Sequence, residues 1–201
     1  GRAYGTPAGY CDTLKDTRSD VEIFSWKTEL DYVTSINSRF LDGYCYTILK
    51  DKEEHRYLYS YALRYQYGWE SIVKNKKYSL EKATDLDKAK FFGASAQRTY
   101  LIYATGSKLY AYDYVAETTK VLEDLGDQEI TLLHYDILID TGTNDDFFYL
   151  GTYDPSQPKE TGGTLTRYRV VNDPNNILVE KVPGFSWSGL CKIKSIDFKK
   201  Y

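Results

Sequence analysis

The segment Arg98-Thr-Tyr-Leu-Ile-Tyr-Ala-Thr-Gly-Ser-Lys-Leu-Tyr-Ala-Tyr-Asp113 constrains the fold more than any other. It reads as two short Tyr-rich strands joined by a Thr-Gly-Ser turn. A looser version returns at Asp146–Asp154 with Gly163–Val170. Recurring hairpins at this scale predict repeated four-stranded antiparallel sheets.

Further strands follow from apolar or alternating runs bounded by turn residues. They are predicted at Val21–Trp26, Tyr44–Leu49, Arg56–Tyr65, Ala89–Ala94, Thr99–Ala104, Lys108–Tyr112, Thr118–Leu122, Glu129–Tyr135, Phe147–Thr152, Thr164–Val171 and Ile177–Lys181. Asp51–Glu54 is a charged hairpin tip, and residues 75–88 are a long connection. The C-terminal run Leu190–Phe198 resembles another first strand. First strands aligned at Phe91, Leu132 and Ile193 are 41 and 61 residues apart. The shorter spacing is near the roughly 40–50 residues of a propeller blade. The longer holds two loops, Asp136–Asp146 and Asp154–Gly163.

The predicted fold is therefore all-β and propeller-like, with about four blades and a closing half-blade at the C-terminus. A β-sandwich is the alternative that the same short strands allow. Residues 1–19 are read as an irregular lead-in and 20–201 as one β domain.

Composition bounds the function classes. Of 201 residues, 42% are hydrophobic and 21 are Tyr, enough for a core on half-buried pleated surfaces with ring packed and hydroxyl wet. The net charge of −3 argues against a general nucleic-acid binder. No run of about 18 apolar residues exists, so no membrane-spanning segment is predicted. The chain starts at Gly1 and holds no Met, which reads as a processed or trimmed piece. Cys11, Cys45 and Cys191 lack the spacing of a zinc or thioredoxin motif and are expected to be small, mostly buried thiols.

No catalytic or metal motif stands out, and no cofactor is expected. Asp140–Asp146 is oxygen-rich but lacks the order of a calcium loop, and reads as a solvated loop with Asx turns. His55 reads as exposed and His134 as a hydrogen-bonded structural residue. A propeller glycoside hydrolase or lyase would need a carboxylate pair, for which Asp113, Asp136 and Asp154 are the nearest candidates. Trp69 and Trp187 stand beside small residues in expected loops, and with Tyr153 they are candidate ligand platforms. Arg64, Arg98, Arg167 and Arg169 either stack on rings or face water.

The run Tyr103–Asp113, Gly126-Asp-Gln-Glu-Ile-Thr131, Gly151-Thr-Tyr-Asp-Pro155 and Gly163–Tyr168 resembles the C-terminal part of the PKD-like family of putative Bacteroidetes lipoproteins. Arg56-Tyr-Leu-Tyr-Ser60 extends the likeness into the N-terminal half. The resemblance implies a secreted, lipid-anchored accessory protein of the outer membrane, at the cell surface or in the periplasm. It further implies an association with starch-utilisation-type glycan uptake, with a glycan or an uptake protein as partner. It supplies no catalytic residues. The expected role is a non-catalytic binding or scaffold module, with a purely protein-protein interaction module as a further alternative.

Overall fold

A computed structural model describes residues 3–5, 13–16, 22–25, 31–35, 37–38, 44–66, 69–72, 76–94, 99–135, 146–171 and 176–196. These residues are all-β: they form antiparallel sheets and no α-helix. The chain divides into two compact units, Gly1–Lys82 and Ala83–Tyr201.

In the first unit, β1 (Ala3–Gly5), β2 (Thr13–Asp16) and β3 (Glu22–Ser25) pair in sequence order. The stretch read as an irregular lead-in thus carries two strands. Three or four residues suffice for a rung of ladder. Next come β4 (Asp31–Ser35), β5 (Asn37–Ser38), β6 (Tyr44–Lys50), β7 (Arg56–Gln66), β8 (Trp69–Ile72) and β9 (Lys76–Ser79). The second sheet runs β4-β6-β7-β8, with β9 also on β7. β9 lies where the sequence suggested only a connection. Its lysines conceal the strand, because partner β7 supplies the ladder. Tyr46, Ile48, Leu49, Leu58 and Leu80 are buried here.

The second unit holds two successive meanders. In the first, β10 (Phe91–Ala94), β11 (Tyr100–Thr105), β12 (Lys108–Asp113) and β13 (Thr118–Asp124) each pair with the next. In the second, β14 (Glu129–Tyr135), β15 (Asp146–Tyr153), β16 (Gly163–Val171) and β17 (Leu178–Leu190) do the same. Gly106, at φ 58°, makes the β11–β12 turn in the left-handed region that glycine enters without strain.

The two meanders share a core. Ile102, Ala104, Leu109 and Ala111 from the first meet Ile130, Leu133, Tyr135, Phe148, Leu150, Tyr168 and Val170 from the second. The opposite face of β11 and β12 is buried too, through Leu101, Tyr103, Tyr110 and Tyr112. Here the expected wet tyrosines are dry. Tyr103 stacks on Tyr110 at 5.2 Å, and its hydroxyl donates to the Thr84 carbonyl at 2.6 Å. Burial pushes its hydroxyl well above the ordinary tyrosine value.

Three aromatic rings cross the second meander on the core face. Tyr135 faces Phe148 at 6.0 Å, and Phe148 lies nearly parallel to Tyr168 at 5.3 Å. The register pairs these residues directly across β14, β15 and β16. Gly93 of β10 sits against the edge of the Tyr135 ring, where a Cβ would collide with ring carbons.

The expected C-terminal half-blade over Leu190–Phe198 is absent among the described residues, and residues 197–201 lie outside them. The described residues Cys191–Ile196 form no strand. The Lys192 amide donates instead to the Lys159 carbonyl at 2.7 Å. The fourth strand runs on to Leu190, so the Trp187 region expected to be a loop is strand. Cys191 is exposed, contrary to the expected burial, because it follows the end of this edge strand.

Gly93→Ala is expected to destabilise the second unit by roughly 1–3 kcal/mol, as overpacking does. A urea titration checks this: an unchanged midpoint would show that Tyr135 moves aside freely.

Candidate functional site

The candidate site lies along β15, β16 and the edge strand β17. Side chains alternate across a strand, so the register sorts them by face. Phe148, Tyr168 and Thr166 point to the core, while Phe147, Tyr149, Arg167 and Leu165 point the other way. β17 continues this second face with Trp187, which pairs with Leu165.

The site owes its shape to irregular pairing. β17 advances from Lys181 to Ser186 while β16 advances only from Tyr168 to Thr166, so Val182–Phe185 forms an outward bulge. Pro183 is tolerated there because an edge strand needs no donor on its open side. Gly184, at φ 78°, turns the chain, and Gly189, at φ 72°, does so again beyond Trp187. Between them, a 2.9 Å hydrogen bond between the Thr166 and Ser186 hydroxyls holds the strand in register.

The bulge presents Phe185 and Trp187 to solvent, 40% and 43% exposed. Their rings meet edge to face at 6.0 Å. The Arg167 guanidinium lies 4.2 Å from the Phe147 ring centre and 5.3 Å from that of Phe185. Such contacts contribute about 0.5–1 kcal/mol each at exposed sites, enough to restrict rotamers. The result is a strip of π-faces and one cation on a rigid sheet.

The sequence candidates fare differently. Trp187 belongs to the strip. Tyr153 does not: it is 7% exposed, its hydroxyl donates to the Gln157 carbonyl at 2.7 Å, and the Lys192 ammonium lies 4.9 Å from its ring centre. It anchors the 154–162 loop rather than offering a platform. Trp69 opens β8, and its side chain lies outside the described residues. So do the side chains of Arg64 and Arg98, Asp136 and most of the Asp140–Asp146 loop. Arg167 stacks on rings, whereas Arg169 pairs with Glu180 at 2.8 Å.

Asp113 and Asp154 serve turns. Asp113 accepts from the Val115 and Ala116 amides, and Asp154 from the Ser156 amide and hydroxyl. The Ser156 hydroxyl, followed by its amide, holds the Asp154 carboxyl below the usual range. Among the described residues no group of three or more His, Cys, Asp or Glu could hold a metal, and no helix is long and apolar enough to cross a membrane.

His55 is partnered rather than simply exposed. Its Nδ1 lies 3.1 Å from Asp51 Oδ2, and its Nε2 lies 3.5 Å from Glu81 Oε1. The hydrogen bond with Asp51 is the main cause that raises the imidazole above its ordinary value; partial desolvation opposes it, and the charges of Asp51, Glu81 and Glu53 add to it. A raised value means that the charged contact is fully present below the unfolded imidazole pKa. It is lost as pH rises through the folded value. In an NMR titration His55 is expected to titrate above a free imidazole, and Asp51→Asn to lower it. An unshifted His55 would refute the pairing.

Comparison with protein-family models gives no match, and neither does comparison with curated proteins.

Proposed function

We propose that this chain is a non-catalytic binding module that captures glycan with the Phe147–Arg167–Phe185–Trp187 strip. The observation that carries the reading is the exposed Phe185–Trp187 pair, held on a bulged edge strand. Apolar ring faces of sugars stack on such surfaces, and a sheet fixes aromatics with little ordering to be done on binding. The nearby guanidinium offers hydrogen bonds to hydroxyls.

The resemblance of the motif residues to PKD-like lipoproteins supports a setting at the outer membrane, on the cell surface or in the periplasm, accessory to glycan uptake. The architecture is read as propeller-like. Two consecutive four-strand meanders pack face to face, and β11 and β12 are buried on both faces, as in stacked blades. A crystal structure with a two-layer sandwich would overturn that part.

A glycan array of the purified chain tests the function, with Trp fluorescence as the confirming titration. Trp187→Ala is expected to weaken binding at least tenfold, in line with loss of about 1.4 kcal/mol or more, while circular dichroism stays unchanged. A folded variant with full affinity would remove the strip from the mechanism.

A further inference from the structure

A second site lies in the cleft where β10 and the β11–β12 turn meet the start of β14 and the segment after β17. The cavity holds about 170 Å³, and Lys90, Phe91, Glu129, Thr131, Ile193 and Lys194 are among its lining residues. That is below the roughly 300–1,000 Å³ of sites that enclose drug-sized ligands, so it suits one ring or one end group.

Charge decides the class of ligand. Lys192 is committed: its ammonium donates to Glu129 at 2.5 Å, and its backbone amide is tied to Lys159. Lys90 and Lys194 form no ion pair among the described residues. The Lys192–Glu129 pair cancels, so among the described residues Lys90 and Lys194 are the cations at the cavity without an ion pair. Phe91, Ile130 and Ile193 supply an apolar wall. A lysine pair with an apolar wall favours an anion that carries a ring over a bare inorganic ion.

The wall is also irregular at the point that matters. Between Ile130 and Leu132 the β14–β15 register shifts, which leaves Thr131 on a bulge. Bulges release backbone groups from the ladder and recur beside functional sites. Thr131 is 7% exposed, and its Oγ1 has no hydrogen-bond partner among the described residues. A buried hydroxyl without a partner is uncommon and marks a spot where a further group could be accommodated.

We propose that this cavity binds the acidic end residue of a uronate-containing glycan. The carboxylate sits between Lys90 and Lys194, and the ring rests on Phe91 and Ile193. The inference rests on the glycan-capture reading and assigns it a charge preference. Glu129 then acts as a brake, because it holds one ammonium away from the ligand.

Calorimetry on the full chain at physiological ionic strength tests this, with galacturonate, galactose and inorganic phosphate as probes. Galacturonate is expected to bind saturably and at least tenfold tighter than galactose or phosphate. The double variant Lys90→Glu/Lys194→Glu should abolish that binding, and Glu129→Gln should tighten it several-fold. Trp187→Ala should leave it unchanged, which separates this cavity from the aromatic strip. Equal binding of galactose would overturn the charge preference, and equal binding of phosphate would overturn the sugar. Absence of galacturonate binding while a polysaccharide still binds through Trp187 would refute the cavity alone. Loss of galacturonate binding in Trp187→Ala would refute the independence of the two sites.

Discussion

The second unit is organised by one packing constraint: the edge of the Tyr135 ring must lie against the backbone of β10 at Gly93. Only a residue without a Cβ permits that approach. From Tyr135 the aromatic contact passes to Phe148 and on to Tyr168, so three strands are clamped by rings that share one face. Stacked pairs contribute about 0.5–1.5 kcal/mol beyond their buried area. They also set the register, since a slip of one residue would move all three rings to the opposite face. The two meanders pack as they do because these rings need an apolar surface opposite, which Ile102, Ala104, Leu109 and Ala111 supply.

The candidate sites are consequences of that rigidity. With β14, β15 and β16 clamped, irregularity is pushed to the ends and to the edge. β17 carries Pro183 and two left-handed glycines, and its bulge displays Phe185 and Trp187. The same devices blunt the open edge against pairing with another strand. On β14, the opposite edge strand, the bulge at Thr131 helps shape the lysine-rimmed cavity together with the tethered Lys192. Both sites therefore stand where the ladder departs from regularity.

The strand pattern was legible where a run alternated or stayed apolar between turn residues. β6, β7 and β10 to β16 begin and end within a few residues of expectation. β9 was hidden by its lysines, and the length of β17 by its Pro and Gly, residues that ordinarily end strands but are accommodated at an edge. Trp187 was legible as a candidate. Phe185 was legible in retrospect, two residues away and so on the same face of a strand. Phe147 and Arg167 were not, because their contact with Phe185 depends on the offset that the bulge introduces. Tyr153 misled for a related reason: its place beside the long Asp154–Gly163 loop suggested a platform, whereas its hydroxyl closes that loop.

The sequence by itself determined the all-β class, most strands, and the turns at Gly106 and at Asp51–Glu54. Those properties reside in local patterns of period two and in the conformational preferences of Gly, Pro and Asp. Tertiary structure alone decided which tyrosines are dry, which carboxylates are consumed by turns, and which cations remain uncompensated. Lys90, Glu129 and the neighbouring pair Lys192 and Lys194 come from three distant parts of the chain and meet only after two meanders have packed. Burial and charge pairing depend on neighbours brought together by folding, and no window of sequence contains them.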